Sequence, residues 1–441
     1  MKKLFRAVLC GAVLALTLCT GAMAAAPTDL SIEYNSQPLT FTDAYPHISN
    51  SRTYLPFRTV FTALGFADDK ITFDNDTRKV LAVRDDLEVS MIIGENKVTV
   101  VKDGKTSVLD TDVPAYIDPA VSRTFVPASF VAQAAGYRVG WNGETRTVYI
   151  DDVDAILAGN KETYKLLDQY LAYSRKLRDN NYTVAGTFTS EQDGVAMKGT
   201  YSMLAAGNTK FDYEMEMKLS GQSEGQDLTA ALPEGISLAM RGNVSSGEYY
   251  FKSDMLNTMM GIDQGNIWFK MDMKDAVAPM GNLPGMPYVT MMDMDGAVTD
   301  NMDGKTMVYN MAQLDSTMSV VDQLAMYNAI LSDSAFEKKG SDRVSYIEAE
   351  NLELTLTFHT SGSRVNGYTV IMSAAEDGVE TKSEVSMQGK KMLSTYQVKS
   401  DGSSVIMKMD GTCTVSGKSP KGAPDKNDLV VDLSKLGPVV Q

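Results

Sequence analysis

Ser51-Arg52-Thr53-Tyr54-Leu55-Pro56-Phe57-Arg58-Thr59-Val60-Phe61-Thr62-Ala63-Leu64-Gly65-Phe66 returns without a gap as Ser122-Arg123-Thr124-Phe125-Val126-Pro127-Ala128-Ser129-Phe130-Val131-Ala132-Gln133-Ala134-Ala135-Gly136-Tyr137, with seven of sixteen positions identical. A second echo follows each copy, Asp74-Asn75-Asp76-Thr77-Arg78-Lys79-Val80 against Asn142-Gly143-Glu144-Thr145-Arg146-Thr147-Val148, displaced by three residues because the first copy carries an insertion. A unit that recurs with this spacing is a structural repeat. Each copy reads as strand, helix, strand, because the hydrophobic period changes twice within it. Tyr54 and Leu55 close an extended run, and Pro56 suits a first helical turn, where its missing N–H is no loss. Phe57, Val60, Phe61 and Leu64 then form one apolar helix face. Gly65 and Gly136 stand where a helix ends in the left-handed conformation.

Ser-Arg-Thr-aromatic-aliphatic-Pro, an apolar helix closed by Gly-aromatic, then Val139-Gly140-Trp141-Asn142, Glu144-Thr145-Arg146 and Val148-Tyr149-Ile150 resemble the stalk domain. This is the copper amine oxidase N-terminal-like domain, found in secreted and surface proteins of Gram-positive bacteria. The likeness covers about residues 30 to 151. It departs at Ser129, where the family repeats the Arg seen at Arg58, and at Ala67-Asp68-Asp69-Lys70, which lengthens a helix-to-strand turn. The family name invites a copper reading. An oxidase site implies three His ligands and a Tyr in a Thr-x-x-Asn-Tyr setting. The chain holds only His47 and His359, and its one Asn-Tyr pair, Asn181-Tyr182, follows Arg178 where the motif wants Thr, so only the stalk module is shared. Arg52 and Arg123, at matched positions, are expected to tie strand to helix through backbone carbonyls, with carboxylate binding as the alternative.

Lys2, Lys3 and Arg6 precede an apolar run from Ala7 to Leu18 that is too short to span a bilayer, and Ala22-Met23-Ala24 follows as a cleavage signal. Residues 1–24 are therefore expected to be a signal peptide and the protein to be secreted. Leu18 stands before Cys19 where a lipidation signal needs a small residue, which argues against a lipoprotein. Cys413 alone then remains, so the fold rests on core burial and not on disulfides. A net charge of −15 speaks against nucleic acid as a partner.

From Asp151 to Asp179 a linking helix is expected, with Tyr164, Leu167, Leu171 and Leu177 apolar. Beyond it the period is two: Tyr182–Thr189, Val195–Leu204, Lys210–Leu219 and Glu248–Lys252, then Arg343–Ile347, Leu352–His359, Ser363–Ser373, Val379–Met387, Lys391–Lys399 and Val405–Met409. Gln313–Leu331 reads as one helix between them. The fold class expected is α+β: a small duplicated strand-helix-strand domain at 25–151, a linking helix at 152–180, and at 181–435 a large curved antiparallel sheet, a half-barrel, with one or two covering helices. In layout this second part resembles the lipoprotein-carrier and lipoprotein-localisation-factor fold of bacterial envelopes, which implies acyl-chain binding.

Fifteen of 28 methionines lie between Met255 and Met326. Thioethers suit Cu(I), but no His or Cys joins them, and adaptable apolar surface is the favoured reading. The candidate ligand-lining residues are Trp268, Phe269, Met271, Met273, Met286, Met291 and Met292, rimmed by Gly281–Pro287. Asp293, Asp295, Asp300 and Asp303 do not fit a calcium loop and read as turns. His47 and His359 lack a sequence neighbour that would make them catalytic. No Gly-x-Ser-x-Gly or His-Glu-x-x-His occurs, and neither catalytic, metal nor cofactor residues are assigned. The expectation is a secreted, non-catalytic envelope or cell-surface protein that binds an apolar or amphiphilic ligand, with a structural or adhesive cell-wall protein as the alternative.

Overall fold

The computed structural model describes residues 30–435, except 86, 179, 207–208, 224, 244–245, 260–266, 273–301, 350, 377 and 401–402. Two compact units separate. One runs to Ile156 and takes in Asp315–Val321; the other holds the remaining residues.

The first unit contains strands β1 (Ser31–Tyr34), β2 (Gln37–Pro38), β3 (His47–Ser49), β4 (Arg52–Pro56), β5 (Ile71–Asp74), β6 (Lys79–Arg84), β7 (Leu87–Ile92), β8 (Lys97–Lys102), β9 (Lys105–Asp110), β10 (Tyr116–Asp118), β11 (Arg123–Pro127), β12 (Arg138–Asn142) and β13 (Thr147–Asp151). Helices α1 (Phe57–Ala63) and α2 (Ala128–Ala135) are the two copies of the repeated helix. Three sheets result, ordered β12-β13-β1-β2, β10-β11-β4-β3 and β5 through β9. Phe57, Val60 and Phe61 of α1 and Phe130 and Ala134 of α2 fill one core with Ile32, Leu55, Val89, Val126 and Ile150 from the sheets. Gly136 takes φ 74° and closes α2 as its sequence position requires.

The repeat is related to itself by a local two-fold. Strands β4 and β11 pair antiparallel with Leu55 opposite Val126, and these are equivalent positions of the two copies. Arg52 bridges Asp112, and Arg123 bridges Asp43, so each copy's arginine holds the other copy's carboxylate. This corrects the expectation of a strand-to-helix tie: the carbonyls that these arginines reach belong to their own turns, at Ser51, Val121 and Ser122. His47 is structural, its Nε2 2.6 Å from the Tyr116 hydroxyl. Arg58 donates to the carbonyls of Asp68 (2.9 Å) and Ile71 (2.8 Å), holding the lengthened turn. The second copy lacks that insertion and carries Ser129 at the matched position.

Asp315–Val321 belongs to this unit although it is distant in sequence from the rest of it. Arg138 donates to the Asp151 carboxylate (2.9 Å), to Met318 O (3.0 Å) and to Asp315 O. Asp151, fully buried, also accepts from the N–H of Val320 at 3.0 Å. Trp141 N donates to Ser316 O, and a Cβ on Gly140 would stand 2.4 Å from that oxygen.

In the second unit the strands are β14 (Asn181–Gln192), β15 (Val195–Ala206), β16 (Lys210–Ser220), a small ribbon β17 (Gln222–Ser223) and β18 (Gln226–Asp227), β19 (Ile236–Asn243), β20 (Glu248–Ser253) and β21 (Ile267–Asp272). They continue as β22 (Glu337–Lys339), β23 (Asp342–Ala349), β24 (Leu352–Ser361), β25 (Arg364–Glu376), β26 (Val379–Gln388), β27 (Lys391–Ser400), β28 (Ser403–Val415) and β29 (Leu429–Asp432). All but the ribbon join one 14-stranded sheet in the order β22-β23-β24-β25-β26-β27-β28-β14-β15-β16-β19-β20-β21-β29. The sheet is curved and mixed: among the described residues β21 pairs parallel with β29, where an antiparallel sheet was expected, because the chain reaches that edge by a long return and not by a hairpin. With the smaller unit this is an α+β protein.

The expected linking helix is two helices, α3 (Val153–Gly159) and α4 (Lys165–Arg178), and α4 lies on the sheet, with Tyr170 stacked 5.2 Å from Phe358 and edge-on to Tyr368. Two short helices, α5 (Leu228–Ala231) and α6 (Asp254–Met259), follow. Gln313–Leu331 is likewise not one helix. The chain forms α7 (Gly304–Met311), breaks, and resumes as α8 (Val320–Leu331). Asp315 makes the break by accepting from Thr317 N and Oγ1 at 2.7 Å each, an Asx turn that competes with helix.

Candidate functional site

Directly paired residues of an antiparallel ladder share a face. Following the pairs across the large sheet gives Phe358, Tyr368, Met387, Met392, Gly411, Gly186, Tyr201, Met215 and Leu238 as one row, and Leu354, Met372, Ser383, Tyr396, Met407, Ser190, Met197 and Leu219 as another on the same face. Met217 and Met409 lie on the row between them, with Phe188 and Gly199. Met203 pairs with Tyr213, Tyr213 with Met240, Met240 with Phe251, and Met271 with Tyr249. All eleven methionines on the strands of this sheet therefore face one way. The opposite face carries Lys198, Glu214, Glu216, Lys218, Glu384, Lys408 and Asp410.

On the central strands three positions of this face are glycines, without a side chain. Gly186 is paired with Gly411, and Gly199 with Phe188. The Tyr201 hydroxyl lies where a Gly411 Cβ would be, 2.5 Å away, and the Phe188 ring lies over Gly199 at 2.6 Å. Glycine kinks with aromatic rings laid across them are how a wide sheet curves.

Seven of these methionines face an aromatic partner directly: Met203, Met215, Met240, Met271, Met387, Met407 and Met409. Such sulfur–aromatic contacts add about 0.3–1.5 kcal/mol each while leaving the thioether free to change rotamer. Helix α4 covers one end of the face. Away from it, Val385 is 39% exposed, and Leu354, Leu356, Val370, Met372, Tyr396 and Met407 around it are half-buried. On this face burial, with Tyr201 adding, pushes the Tyr213 phenol up to about 12, and burial, then Asp410, raises that of Tyr201. Cys413 also lies here, buried, and that burial pushes its thiol up, away from nucleophilic behaviour.

The structure divides the candidate residues read from the sequence. Phe269 and Met271 belong to the methionine face. Trp268 points to the other side, where the Arg241 guanidinium lies 4.7 Å from its ring, and Arg241 in turn donates to Ala423 O. Adjacent strand residues point to opposite faces, so Trp268 and Phe269 do not line one groove. Met273, Met286, Met291 and Met292, the rim Gly281–Pro287 and Asp293, Asp295 and Asp300 lie outside the described residues. Asp303 caps α7 by accepting from Thr306 N at 2.7 Å. The strand methionines were missed although their signal was present, in Tyr213-Glu-Met215-Glu-Met217 and Val405-Ile-Met407-Lys-Met409.

On the opposite face His359 joins Asp342 (Nδ1, 3.1 Å) and Thr369 (Nε2, 2.8 Å). Hydroxyl, imidazole and carboxylate stand in relay order, but Thr369 is in the middle of a strand paired on both sides, where neighbouring N–H groups are engaged in the ladder. The trio ties β23, β24 and β25 together. A depression of about 370 Å³ at the hairpin ends is lined by Glu348, Glu353, Glu380, Lys382 and Lys399 and by none of the methionines. Among the described residues no three His, Cys, Asp or Glu side chains converge to hold a metal ion, and no helix is long and apolar enough to cross a membrane.

The family model of the copper amine oxidase N-terminal domain matches residues 33–150, the span in which the repeat was read. That match speaks for the first unit alone. No curated protein matches the chain. Among solved structures, transferrin binding protein B (isotype 1) from serogroup B Neisseria meningitidis aligns with 76% of this chain at 6% identity and a TM-score of 0.12, and the chain spans 35% of that protein. A likeness of that size carries no argument about fold or ligand.

Proposed function

We propose that the protein is a secreted, non-catalytic envelope or cell-surface protein whose β-rich unit binds an apolar or amphiphilic ligand, such as a lipid or lipoprotein acyl chain, on the methionine face. One observation carries this reading: every strand methionine of the large sheet is on the face that α4 covers only in part. Strand positions favour β-branched and aromatic residues, so propensity does not account for methionine there, whereas adaptable contact with a flexible chain does. On this reading residues 1–24 are a signal cleaved after Ala24, 25–151 a stalk domain, 152–180 a helical passage, and 181–435 the ligand-binding part, whose layout is similar to that of the lipoprotein carriers.

Purified protein exposed to envelope lipids is expected to carry lipid adducts in native mass spectrometry. Val385→Glu, at an exposed position of the face, is expected to reduce them at least about ten-fold, since a charge set against acyl chain is strongly disfavoured. A ligand-free spectrum from the unaltered protein would count against the reading. A second reading, association with cell-wall polymer through the first unit, is favoured by Tyr45, 65% exposed. Sedimentation with isolated wall material tests it, and a chain that stays in the supernatant removes it.

A further inference from the structure

We propose that the methionine face is an oxidant-responsive surface: hydroperoxides convert its half-buried thioethers to sulfoxides, and this change weakens its hold on apolar ligands. The inference rests on the ligand-binding reading above and adds a modification site and a release mechanism to it.

The chemistry is balanced by the peroxide alone. A methionine sulfur lone pair attacks one peroxide oxygen, the O–O bond breaks and an S–O bond forms. The sulfur loses two electrons, and the second oxygen takes up the proton and leaves as water from hydrogen peroxide, or as an alcohol from an organic hydroperoxide. The product is polar and chiral where the reactant was apolar and flexible. Concentration of thioethers makes the effect collective. Met372 on β25, Met392 on β27 and Met407 and Met409 on β28 lie within four successive strands of the sheet, all half-buried, so oxidant reaches them without unfolding. Met217 and Met387 on the same face are 7% exposed, and Met91 in the core of the first unit is 4% exposed, so the molecule contains its own controls. The buried, protonated Cys413 thiol does not compete, because peroxide reacts with the thiolate. Thioether oxidation needs no deprotonation and proceeds across the physiological pH range.

The test uses the full chain and a 16-carbon fatty acid as probe, with binding measured by calorimetry before and after titration with hydrogen peroxide and sulfoxides located by peptide mass spectrometry. Met372, Met407 and Met409 are expected to oxidise at least about five-fold faster than Met91, and probe affinity to fall at least about ten-fold. Methionine sulfoxide reductases A and B together are expected to restore it. The variant carrying Met372→Leu, Met407→Leu and Met409→Leu keeps side-chain volume but alters the binding face, so it is compared only with itself: whatever affinity it has for the probe before peroxide is expected to be largely retained afterwards. Undiminished affinity in protein whose face is fully converted to sulfoxide overturns the inference while leaving the ligand reading intact, as does equal loss in the leucine variant. Oxidation of Met91 at the same rate as the face also overturns it, since the oxidant would then be entering by unfolding. If the reduced protein never binds the probe, the ligand reading falls and the inference falls with it.

Discussion

Replacing Asp151 by alanine is expected to remove about 3–5 kcal/mol from the stability of the first unit, because it leaves a charge buried without its counter-ion. The Asp151 side chain is fully buried and that of Arg138 is 14% exposed, with 2.9 Å between Oδ2 and Nη1. The same oxygen receives the Val320 N–H at 3.0 Å, so one carboxylate holds both a guanidinium and the segment that enters from position 315 onward. Alanine would strand the guanidinium against the carbonyls of Asp315 and Met318 and leave the Val320 N–H unmatched. Guanidinium chloride unfolding measures the effect. In a Trp268→Phe background, Trp141 is the sole tryptophan and sits three residues from Arg138 on the same strand. With a slope of about 3 kcal/mol per molar, the midpoint should fall by about 1–1.7 M. The companion variant, Arg138→Met with Asp151→Leu, should recover most of the loss, since an apolar replacement of a buried pair is often neutral. A loss below about 1 kcal/mol for Asp151→Ala, or a double variant as unstable as the single one, would refute the reasoning.

Two further outcomes are expected. Gly140→Ala places a Cβ 2.4 Å from Ser316 O, so amide exchange at 316–320 should accelerate about ten-fold or more while the β12–β13 ladder stays protected; unchanged exchange would mean that the segment is not seated on Gly140. Asp333 caps α4 by accepting from the Thr163 hydroxyl (2.6 Å) and from the N–H groups of Leu166 (2.9 Å) and Lys165 (3.0 Å). Burial pushes its carboxyl up, but the Thr163 hydroxyl, these two N–H groups and the Lys165 charge outweigh it, so the carboxyl lies below its ordinary value. A depressed carboxylate contributes stability that is complete above the unfolded pKa, about 3.9, and is lost as pH falls through the lower folded value. Asp333→Asn should therefore cost about 1 kcal/mol at neutral pH and flatten the acid limb of the helical circular-dichroism signal, and an unaltered acid limb would count against this cap.

Period and repetition settled much of this molecule before any contact was known. The duplicated stretch specified strand, helix and strand twice, and the two-residue alternation located β15, β16 and the run from β23 to β27 close to their bounds, but only part of β14 and of β28. Both depend on local chemistry: side-chain direction is set by backbone geometry, and proline and glycine punctuate it. Strand β19 was missed because Ala239-Met240-Arg241-Gly242 breaks the alternation, and β29 because its partner β21 lies some 160 residues away and makes the pairing non-local. The helix expected at 313–331 failed at Asp315, where a side chain competes for the backbone. The methionine face was only half legible. Alternation told each strand which residues share a side, but which strands are neighbours, and hence that Met387, Met392, Met215 and Met240 belong to one surface, follows from the register of hydrogen bonds between segments distant in sequence. The same holds for Asp151 and Val320, which are 169 positions apart in the chain. Sequence by itself determined the repeat, the strands and their two sides. Tertiary structure alone decided strand order and the joining of those sides into a face, because pairing energy is gained between partners that no local pattern identifies.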